Sequence, residues 1–277
     1  CFGEILDVTG GVMDIQTGVI RVLHGDSFKD DATRILRAVR YEQRLGFCLE
    51  DLTESLMYRD LSYLDTISPD RMRHELDRAV GEKDPIRIML RLDEIGILQA
   101  IWPSLRGKPE FRKILEEAST SNIGSPLVYV ALLSYWLSIE HSEQFIQRLN
   151  MTVQQSKVVR DIQKVKALIG HLGRSNMKPS QIHCLLETVA LEALQGCALA
   201  LSAGIARRHI LRYVQDWCHI EPILSGRDLI QIGIAEGPLI GAVLRELKLA
   251  KLDGLVSSRA DEKAVAIRYV STCFSEQ

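Results

Sequence analysis

An aspartate and an arginine three positions apart, Asp31 and Arg34, could select a nucleotide base. Residues three apart are neighbours one turn along a helix, so their side chains would lie side by side. An ionised Asp only accepts hydrogen bonds, and an Arg only donates them. Cytosine and adenine each present an amino donor beside a ring-nitrogen acceptor, whereas uracil and guanine present a carbonyl oxygen in place of that amine. The pair could therefore accept C and A and reject U and G without a template strand.

We expect one helix, from about residue 27 to residue 45, to position this pair. Ser27 could cap it, and Asp30 and Asp31 in its first turn would meet the positive end of the helix dipole. Gly46 would end it. Arginines recur on one side of this helix, opposite an apolar side: Arg34, Arg37, Arg40 and Arg44 against Ile35, Leu36, Ala38 and Val39. A surface helix with a solvated basic face is the alternative interpretation.

The stretch Asp30-Asp31-Ala32-Thr33-Arg34-Ile35-Leu36-Arg37-Ala38 resembles the Glu-Asp-x-x-Arg neck motif of the bacterial-type (class II) tRNA nucleotidyltransferases. This family includes CCA-adding, CC-adding and A-adding enzymes and bacterial poly(A) polymerases. Asp30 stands where the family has Glu, which keeps the charge, and Ala32 stands where Pro is frequent. Neither departure removes the base-reading pair.

Two other stretches resemble the same family, in the same order. Residues 7–24, with Gly10-Gly11 between Asp7 and Asp14, are similar to the segment that closes its catalytic head. Residues 226–254, which contain Gly237-Pro238-Leu239-Ile240-Gly241, are similar to its tail. The resemblance implies four parts: the end of the head (1–24), a nucleotide-recognising neck (25–100), an RNA-binding helical body (101–220) and a tail for the tRNA elbow (221–277).

The activity that the resemblance implies is Mg²⁺-dependent transfer of CMP or AMP from CTP or ATP to the 3′ end of tRNA. Asp31 would accept from the exocyclic amine, Arg34 would donate to N3 of C or N1 of A, and Arg37 would orient these groups or contact the triphosphate. The family's head carries an Asp-x-Asp pair for two Mg²⁺ ions and a Gly-Ser triphosphate loop, and neither is matched in these 277 residues. We therefore expect a fragment without catalytic or metal-binding residues of its own, inactive when alone.

Two pairs of charged residues have competing interpretations. The resemblance implies that Arg71 and Glu75 support the nucleotide pocket, whereas an i to i+4 surface ion pair is the alternative. Asp7 and Asp14 could suggest a metal site, but two carboxylates in a turn-rich segment favour a capping role.

Helical patterns predict an all-α fold: an elongated multi-helix array of neck, body and tail, with a short residual β/turn segment at the N-terminus. Ser68-Pro69-Asp70 and Asp84-Pro85 are helix-start signals, and Gly96 is a stop signal. Residues 1–24 are expected as short extended segments around a turn, strand-like at Val19, Ile20, Val22 and Leu23. Further helix breaks are expected at 107–109, 124–126, 150–152, 170–179 and 204.

A basic ridge is predicted on a helix of the body. Residues 157–178 hold six Lys and Arg against the single acid Asp161. Lys157, Arg160 and Lys164 line up at i, i+3 and i+7, opposite an apolar side, which suits contact with an RNA phosphate backbone. A solvated face is the alternative.

A second RNA contact is predicted at a helix start in the tail. Pro238 suits a first helical position, and Gly237 and Gly241 leave room for a phosphate near the exposed amides. Arg245 and Lys248 follow at helical spacing and would extend the contact. Residues 226–277 hold seven basic and seven acidic side chains, so simple packing of the tail on the body is the alternative.

Composition limits the possible partners. The net charge of −2 means that RNA contacts must come from local patches. No apolar run reaches the ~18 residues needed to span a bilayer, and the six scattered cysteines favour reduced thiols in a cytoplasm. We expect no membrane partner. The oligomeric state stays open, as does the choice between adding C, A, both or poly(A). A non-catalytic helical RNA-binding module is the rival interpretation from another class.

Overall fold

α-Helices make up nearly all the regular structure in the computed structural model, which describes residues 3, 5–105, 109–119 and 124–275. Within these ranges there are two strands of two residues each. The predicted all-α fold is therefore confirmed. The chain forms two compact units, residues 1–164 and 165–277. The four-part division remains a prediction.

The elements of the first unit follow one another with short connections. In chain order they are α1 (Gly11–Thr17), β1 (Val19–Ile20), α2 (Ser27–Asp30), α3 (Thr33–Leu45), β2 (Cys48–Leu49), α4 (Asp51–Asp60), α5 (Pro69–Val80), α6 (Pro85–Ile95), α7 (Ile97–Ile101), α8 (Pro109–Ser119), α9 (Leu127–Ser134) and α10 (Ile139–Arg148). Short 3₁₀ helices lie at Leu61–Thr66 and Pro103–Leu105. The boundary between the units lies within α11 (Val153–Leu172).

The second unit continues with α12 (Pro179–Leu186), α13 (Leu191–Ala200), α14 (Ile205–Gln215), a 3₁₀ helix at Trp217–His219, α15 (Gly226–Gln231), α16 (Pro238–Leu252) and α17 (Arg259–Ser275). Leu229, Val243, Leu247 and Ala266 pack together at the centre of its last three helices. Beside them, the fully buried carboxylate of Glu262 accepts the backbone N–H groups of Ile223 and Leu224 at 2.8–2.9 Å.

Cap chemistry sets several boundaries where the sequence predicts them. α5 begins after Ser68 with Pro69 in its first turn, and Gly46 and Gly96 end α3 and α6 in the left-handed conformation. The Asp84 side chain accepts the Arg87 amide at 3.3 Å, which caps α6. Of the predicted break at 107–109, residues 107 and 108 lie outside the described ranges. The break predicted from 170 begins later, because α11 continues to Leu172.

The N-terminal segment differs from the expected extended chain. Residues 11–17 form α1, since Asp7 accepts the amides of Thr9, Gly11 and Val12 and so satisfies donors at the helix start. The predicted capping role of Asp7 is confirmed. β1 pairs in parallel with β2, with Val19 opposite Cys48, whereas Val22 and Leu23 lie outside the strand.

The helix predicted from Ser27 is broken in two. Asp31 is extended (φ −152°, ψ 99°) between α2 and α3. Its carboxylate accepts the Thr33 amide, so it starts α3 instead of continuing α2. The predicted Ser27 cap is also wrong: Asp26 precedes α2, and Ser27 is buried inside it.

Buried contacts hold α3 in place. Its apolar side, formed by Ile35, Leu36, Ala38 and Val39, is at most 8% exposed and lies where α3 packs against α5 and α6. Among the described residues no single helix is long and apolar enough to cross a membrane. The bent pair α12 and α13 passes that test of length and composition only when taken together, with a 112° bend.

Candidate nucleotide and RNA-binding sites

The carboxylate of Asp31 is held from two sides. The Thr33 amide and hydroxyl donate to its Oδ1 at 3.1 and 2.7 Å. Nη2 of Arg71 donates to Oδ1 and to Oδ2, both at 2.9 Å. Burial alone would raise the pKa of the Asp31 carboxyl, but the Thr33 hydrogen bonds and the Arg71 charge outweigh it and hold that pKa below its usual value. Asp31 is therefore a fixed, ionised acceptor at neutral pH.

One oxygen of this carboxylate keeps spare capacity. Oδ2 receives a single hydrogen bond from the described residues, the one from Arg71. A carboxylate oxygen has two lone pairs. Oδ2 can therefore accept a second donor, such as an amino group of a ligand.

Arg34 lies at the first turn of α3 and is anchored through one nitrogen. Its Nη1 donates to the carbonyl oxygen and the hydroxyl of Ser27, at 3.0 and 2.8 Å. Nε and Nη2 donate to no residue within the described ranges. The amide of Arg34 also donates to the Asp31 carbonyl at 3.1 Å, which ties the two residues to one turn.

An open pocket of about 500 Å³ lies beside this turn. Arg34, Arg37, Tyr41 and Ser27 are among the residues that line it, and Asp31 is not one of them. The guanidinium of Arg37 lies 6.0 Å from the centre of the Tyr41 ring. A hydrogen bond from Arg37, opposed by burial, lowers the pKa of Tyr41. The structure thus brings Arg34 and Arg37 to one cationic pocket, with Asp31 at the preceding break.

Two groups of ion pairs fix α3 against neighbouring helices. Arg91 bridges Glu42 at 3.0 Å and Glu54 at 2.7 Å, which joins α6 to α3 and α4. Arg40 is 7% exposed, and its guanidinium lies 3.0 Å from Glu82 and 3.6 Å from Glu75. The alternative of a solvated basic face therefore does not hold at Arg40, because acids near the end of α5 cover that position.

Arg71 pairs with Asp31 across 40 positions, and in the described residues Glu75 pairs instead with Arg78 and Arg40. The alternative of an Arg71–Glu75 surface pair is thus not what the structure contains.

Sequence reasoning misses the roles of Thr33, Ser27 and Arg91. An Asp followed two residues later by Thr at a helix start is a cap signal that identifies Thr33. No local pattern indicates Arg91, since its partners lie 37 and 49 positions away.

The predicted basic ridge lies on α11, but its cations have acidic partners. Nζ of Lys157 and Nζ of Lys164, the latter at 2.7 Å, both contact the carboxylate of Asp161, which is fully buried. Arg160 makes two hydrogen bonds of 2.7 Å to Glu143. These side chains remain partly exposed, and RNA binding by them remains a prediction.

The predicted tail residues lie at the start and on the surface of α16. Pro238 occupies the first turn after Gly237, as expected, and a side chain at Gly241 would meet open space. Arg245 donates to Glu187 at 2.7 Å, and Lys248 donates to Glu221 at 2.9 Å. The two cations therefore also have acidic partners.

The acidic residues of this chain do not form a metal site within the described ranges. No group of three or more His, Cys, Asp or Glu there is placed to hold an ion. Asp7 caps α1, and Asp14 accepts from Nε of Arg21 at 2.8 Å, an ion pair where a cap was expected. These residues do not fit a Mg²⁺ centre.

One protein family has a model that matches part of this chain. A model described as "Probable RNA and SrmB- binding site of polymerase A" matches residues 46–108. These residues run from the end of α3 beyond α7. They include Arg71, which holds Asp31.

Curated relatives align with almost the whole chain. The A-adding tRNA nucleotidyltransferase of Geobacter sulfurreducens is 29% identical, over 96% of this chain and 32% of its own length. The A-adding tRNA nucleotidyltransferase of Halalkalibacterium halodurans is 26% identical, over 94% of this chain and 61% of its own length. The chain therefore spans about one third to three fifths of these two relatives.

Solved structures share the fold. The CCA-adding enzyme of Thermotoga maritima, solved in complex with tRNA, gives a TM-score of 0.75 at 25% identity, over 95% of this chain and 67% of that one. A CCA-adding enzyme solved with CTP gives 0.75 at 27% identity, over 97% of this chain and 66% of that one. The resemblance expected from the sequence is therefore confirmed: over nearly its whole length this chain is similar, in sequence and in fold, to the tRNA nucleotidyltransferases.

Proposed function

We propose that this chain is the nucleotide-selecting and tRNA-binding part of a tRNA nucleotidyltransferase that adds C, A or both to the tRNA 3′ end. In that reaction the 3′-hydroxyl oxygen of the tRNA bonds to the α-phosphorus of CTP or ATP, and pyrophosphate leaves. The observation that carries the proposal is the spare hydrogen-bonding capacity at the start of α3: Oδ2 of Asp31 as acceptor, and Nε and Nη2 of Arg34 as donors.

The base would be read by complementary hydrogen bonds. The amino group of cytosine or adenine would donate to Oδ2 of Asp31, while Arg34 donates to the adjacent ring nitrogen. A uracil or guanine would place a carbonyl oxygen against the ionised carboxylate. Because Thr33 and Arg71 hold that carboxylate, it does not need to reorganise on binding. A two-point contact of this kind contributes about 1–3 kcal/mol of discrimination.

The triphosphate would lie in the cationic pocket. Arg37 lines this pocket beside Arg34, and its guanidinium lies over the Tyr41 ring. Arginine suits phosphate because its planar guanidinium presents several donors at once. We assign the Mg²⁺ of such an enzyme to its catalytic domain and not to these residues. tRNA maturation of this kind places the protein in the cytoplasm.

The test uses a chimera in which this chain replaces the matching region of the Halalkalibacterium halodurans relative. Incorporation of each of the four nucleoside triphosphates is measured on tRNA lacking its CCA end and on tRNA that ends in CC. We expect Arg34→Ala to lower incorporation of C and A about ten- to a hundredfold, since one side of the base contact is lost. Asp31→Ala should relax the rejection of U or G.

Arg87→Ala is the matched control, because Arg87 is an exposed arginine on α6 whose only described acidic neighbour is Asp84 at 3.9 Å. It should keep the rate and the selectivity. If Arg34→Ala and Asp31→Ala both matched this control, the start of α3 would not read the base.

Poly(A) polymerase activity is the second candidate, favoured by the description of the family model that matches residues 46–108. The same chimera distinguishes the two activities. A poly(A) polymerase would extend the RNA with many A residues from ATP alone. A tRNA nucleotidyltransferase would stop after completing the CCA end. A non-catalytic RNA-binding module would bind tRNA and support neither outcome.

A further inference from the structure

Two stretches of the second unit contain Lys and Arg but no Asp or Glu. Residues 165–186 hold Lys166, Arg174 and Lys178, and residues 193–215 hold three arginines, Arg207, Arg208 and Arg212. The remainder of residues 165–277 holds seven basic residues against eleven acidic ones. Positive charge is therefore concentrated in two segments that are separate in sequence.

The structure brings these segments together. Nδ1 of His209, on α14, lies 2.9 Å from the carbonyl oxygen of Leu172 at the end of α11. α14 also packs against α12. Arg208 precedes His209, and Arg174 follows Leu172 by two positions, so the cations of both stretches flank one contact.

Arg208 and Arg212 are exposed, and the side chain of neither makes a hydrogen bond or an ion pair with any residue in the described part of the chain. They lie four positions apart, which places their Cβ atoms about 5–6 Å from each other on one side of α14. Arg174 is also exposed and has no acidic partner within the described ranges. By contrast, Lys157, Arg160, Lys164, Arg245 and Lys248 each have an acidic partner.

We propose that Arg208 and Arg212, with Arg174 beside them, form a contact surface for the phosphate backbone of RNA. The inference rests on the proposed tRNA-binding function and names the residues that carry its electrostatic part. A guanidinium without an acidic partner can bind an RNA phosphate and displace the counterions of that phosphate, and no ion pair with a carboxylate has to break first.

A lipid surface is the less suitable partner for α14. Helices that bind membranes insert an apolar side into the bilayer. The apolar residues Ala206, Ile210 and Tyr213 are instead at most 9% exposed, packed inside the unit. No large exposed hydrophobic residue occurs between 193 and 215.

The experiment measures binding of the 277-residue chain to fluorescent tRNA by anisotropy, between 50 and 200 mM salt. The double variant Arg208→Ala/Arg212→Ala should raise the Kd about tenfold and reduce the slope of log K against log salt by about 2, since two phosphate contacts are lost. Alanine favours helix, so α14 should stay folded, which circular dichroism checks. Arg208→Lys/Arg212→Lys keeps both charges and should retain most of the affinity.

Arg112→Ala/Lys113→Ala is the matched control, because it removes the same charge from two exposed residues of α8, a helix without a predicted RNA contact, and neither has an acidic partner within the described ranges. It should leave the Kd within about twofold. An equal loss in both double variants would show an effect of net charge alone and overturn the assignment. The assignment would also be overturned if the α14 variant bound tRNA with wild-type affinity. The same holds if the α14 variant lost binding to anionic vesicles but kept binding to tRNA. Failure of the wild-type chain to bind tRNA would overturn the proposed function as well.

Discussion

Replacing Glu262 by alanine should destabilise the second unit strongly. The fully buried carboxylate accepts two backbone N–H groups, those of Ile223 and Leu224, at 2.8–2.9 Å. A hydrogen bond to a charged acceptor contributes about 1.5–3 kcal/mol. Ile223 is 43% exposed, so water can replace part of the loss at its amide, whereas Leu224 is 4% exposed. We therefore expect Glu262→Ala to lower the free energy of unfolding by about 3 kcal/mol.

Urea unfolding followed by circular dichroism measures this change, and amide hydrogen exchange over residues 222–231 locates it. Glu262→Gln keeps an acceptor without the charge and should lose about half as much. Lys263→Ala, at the next and exposed position, is the control and should change the free energy by less than about 0.5 kcal/mol. A loss below about 1 kcal/mol in Glu262→Ala, with unchanged exchange at Leu224, would refute the reasoning.

Two further predictions concern pH and activity. Burial, aided by the Lys248 charge, lowers the pKa of His183; the unfolded chain therefore takes up that proton more readily. The free energy of unfolding should therefore have its full value above pH ~6.5 and decrease as the pH falls below that value. His183→Gln should reduce the change of the urea midpoint between about pH 7.5 and 5.5. If the variant and the wild-type chain showed the same pH dependence, the assignment to His183 would be contradicted. In addition, the 277-residue chain alone should add no labelled C or A to tRNA with Mg²⁺. Transfer by two metals needs carboxylates that hold ions about 4 Å apart, and incorporation by a homogeneous preparation would contradict this prediction.

Local chemistry predicts the helix boundaries that depend on one or two neighbouring residues. The start of α5 at Ser68-Pro69 and the ends of α3 and α6 at Gly46 and Gly96 follow from the backbone preferences of Pro and Gly. The break at Asp31 does not follow from the sequence, because the same side chain can stabilise a first helical turn or cap a new helix. Spacing alone does not decide between these roles.

Contacts between distant positions account for most of the remaining differences. Arg34 and Arg40 are both arginines of α3, but Glu82, 42 positions after Arg40, forms a hydrogen bond with Arg40 and not with Arg34 in the described residues. In the same way Arg160, which is predicted to contact RNA, pairs with Glu143, 17 positions earlier in the chain. A sequence pattern shows where charge lies along a helix, whereas tertiary packing determines which charges are compensated.

The buried position of Asp161 has a kinetic consequence for the proposed binding of RNA. A phosphate that binds Lys157 or Lys164 would share their ammonium groups with a carboxylate that is 0% exposed. Weakening the contacts of a buried carboxylate is unfavourable, so nonspecific RNA would gain little from α11 and would dissociate quickly. Because dissociation rates set most differences in affinity between related complexes, this compensation would favour rapid exchange of one RNA for the next if the proposed RNA binding involves α11.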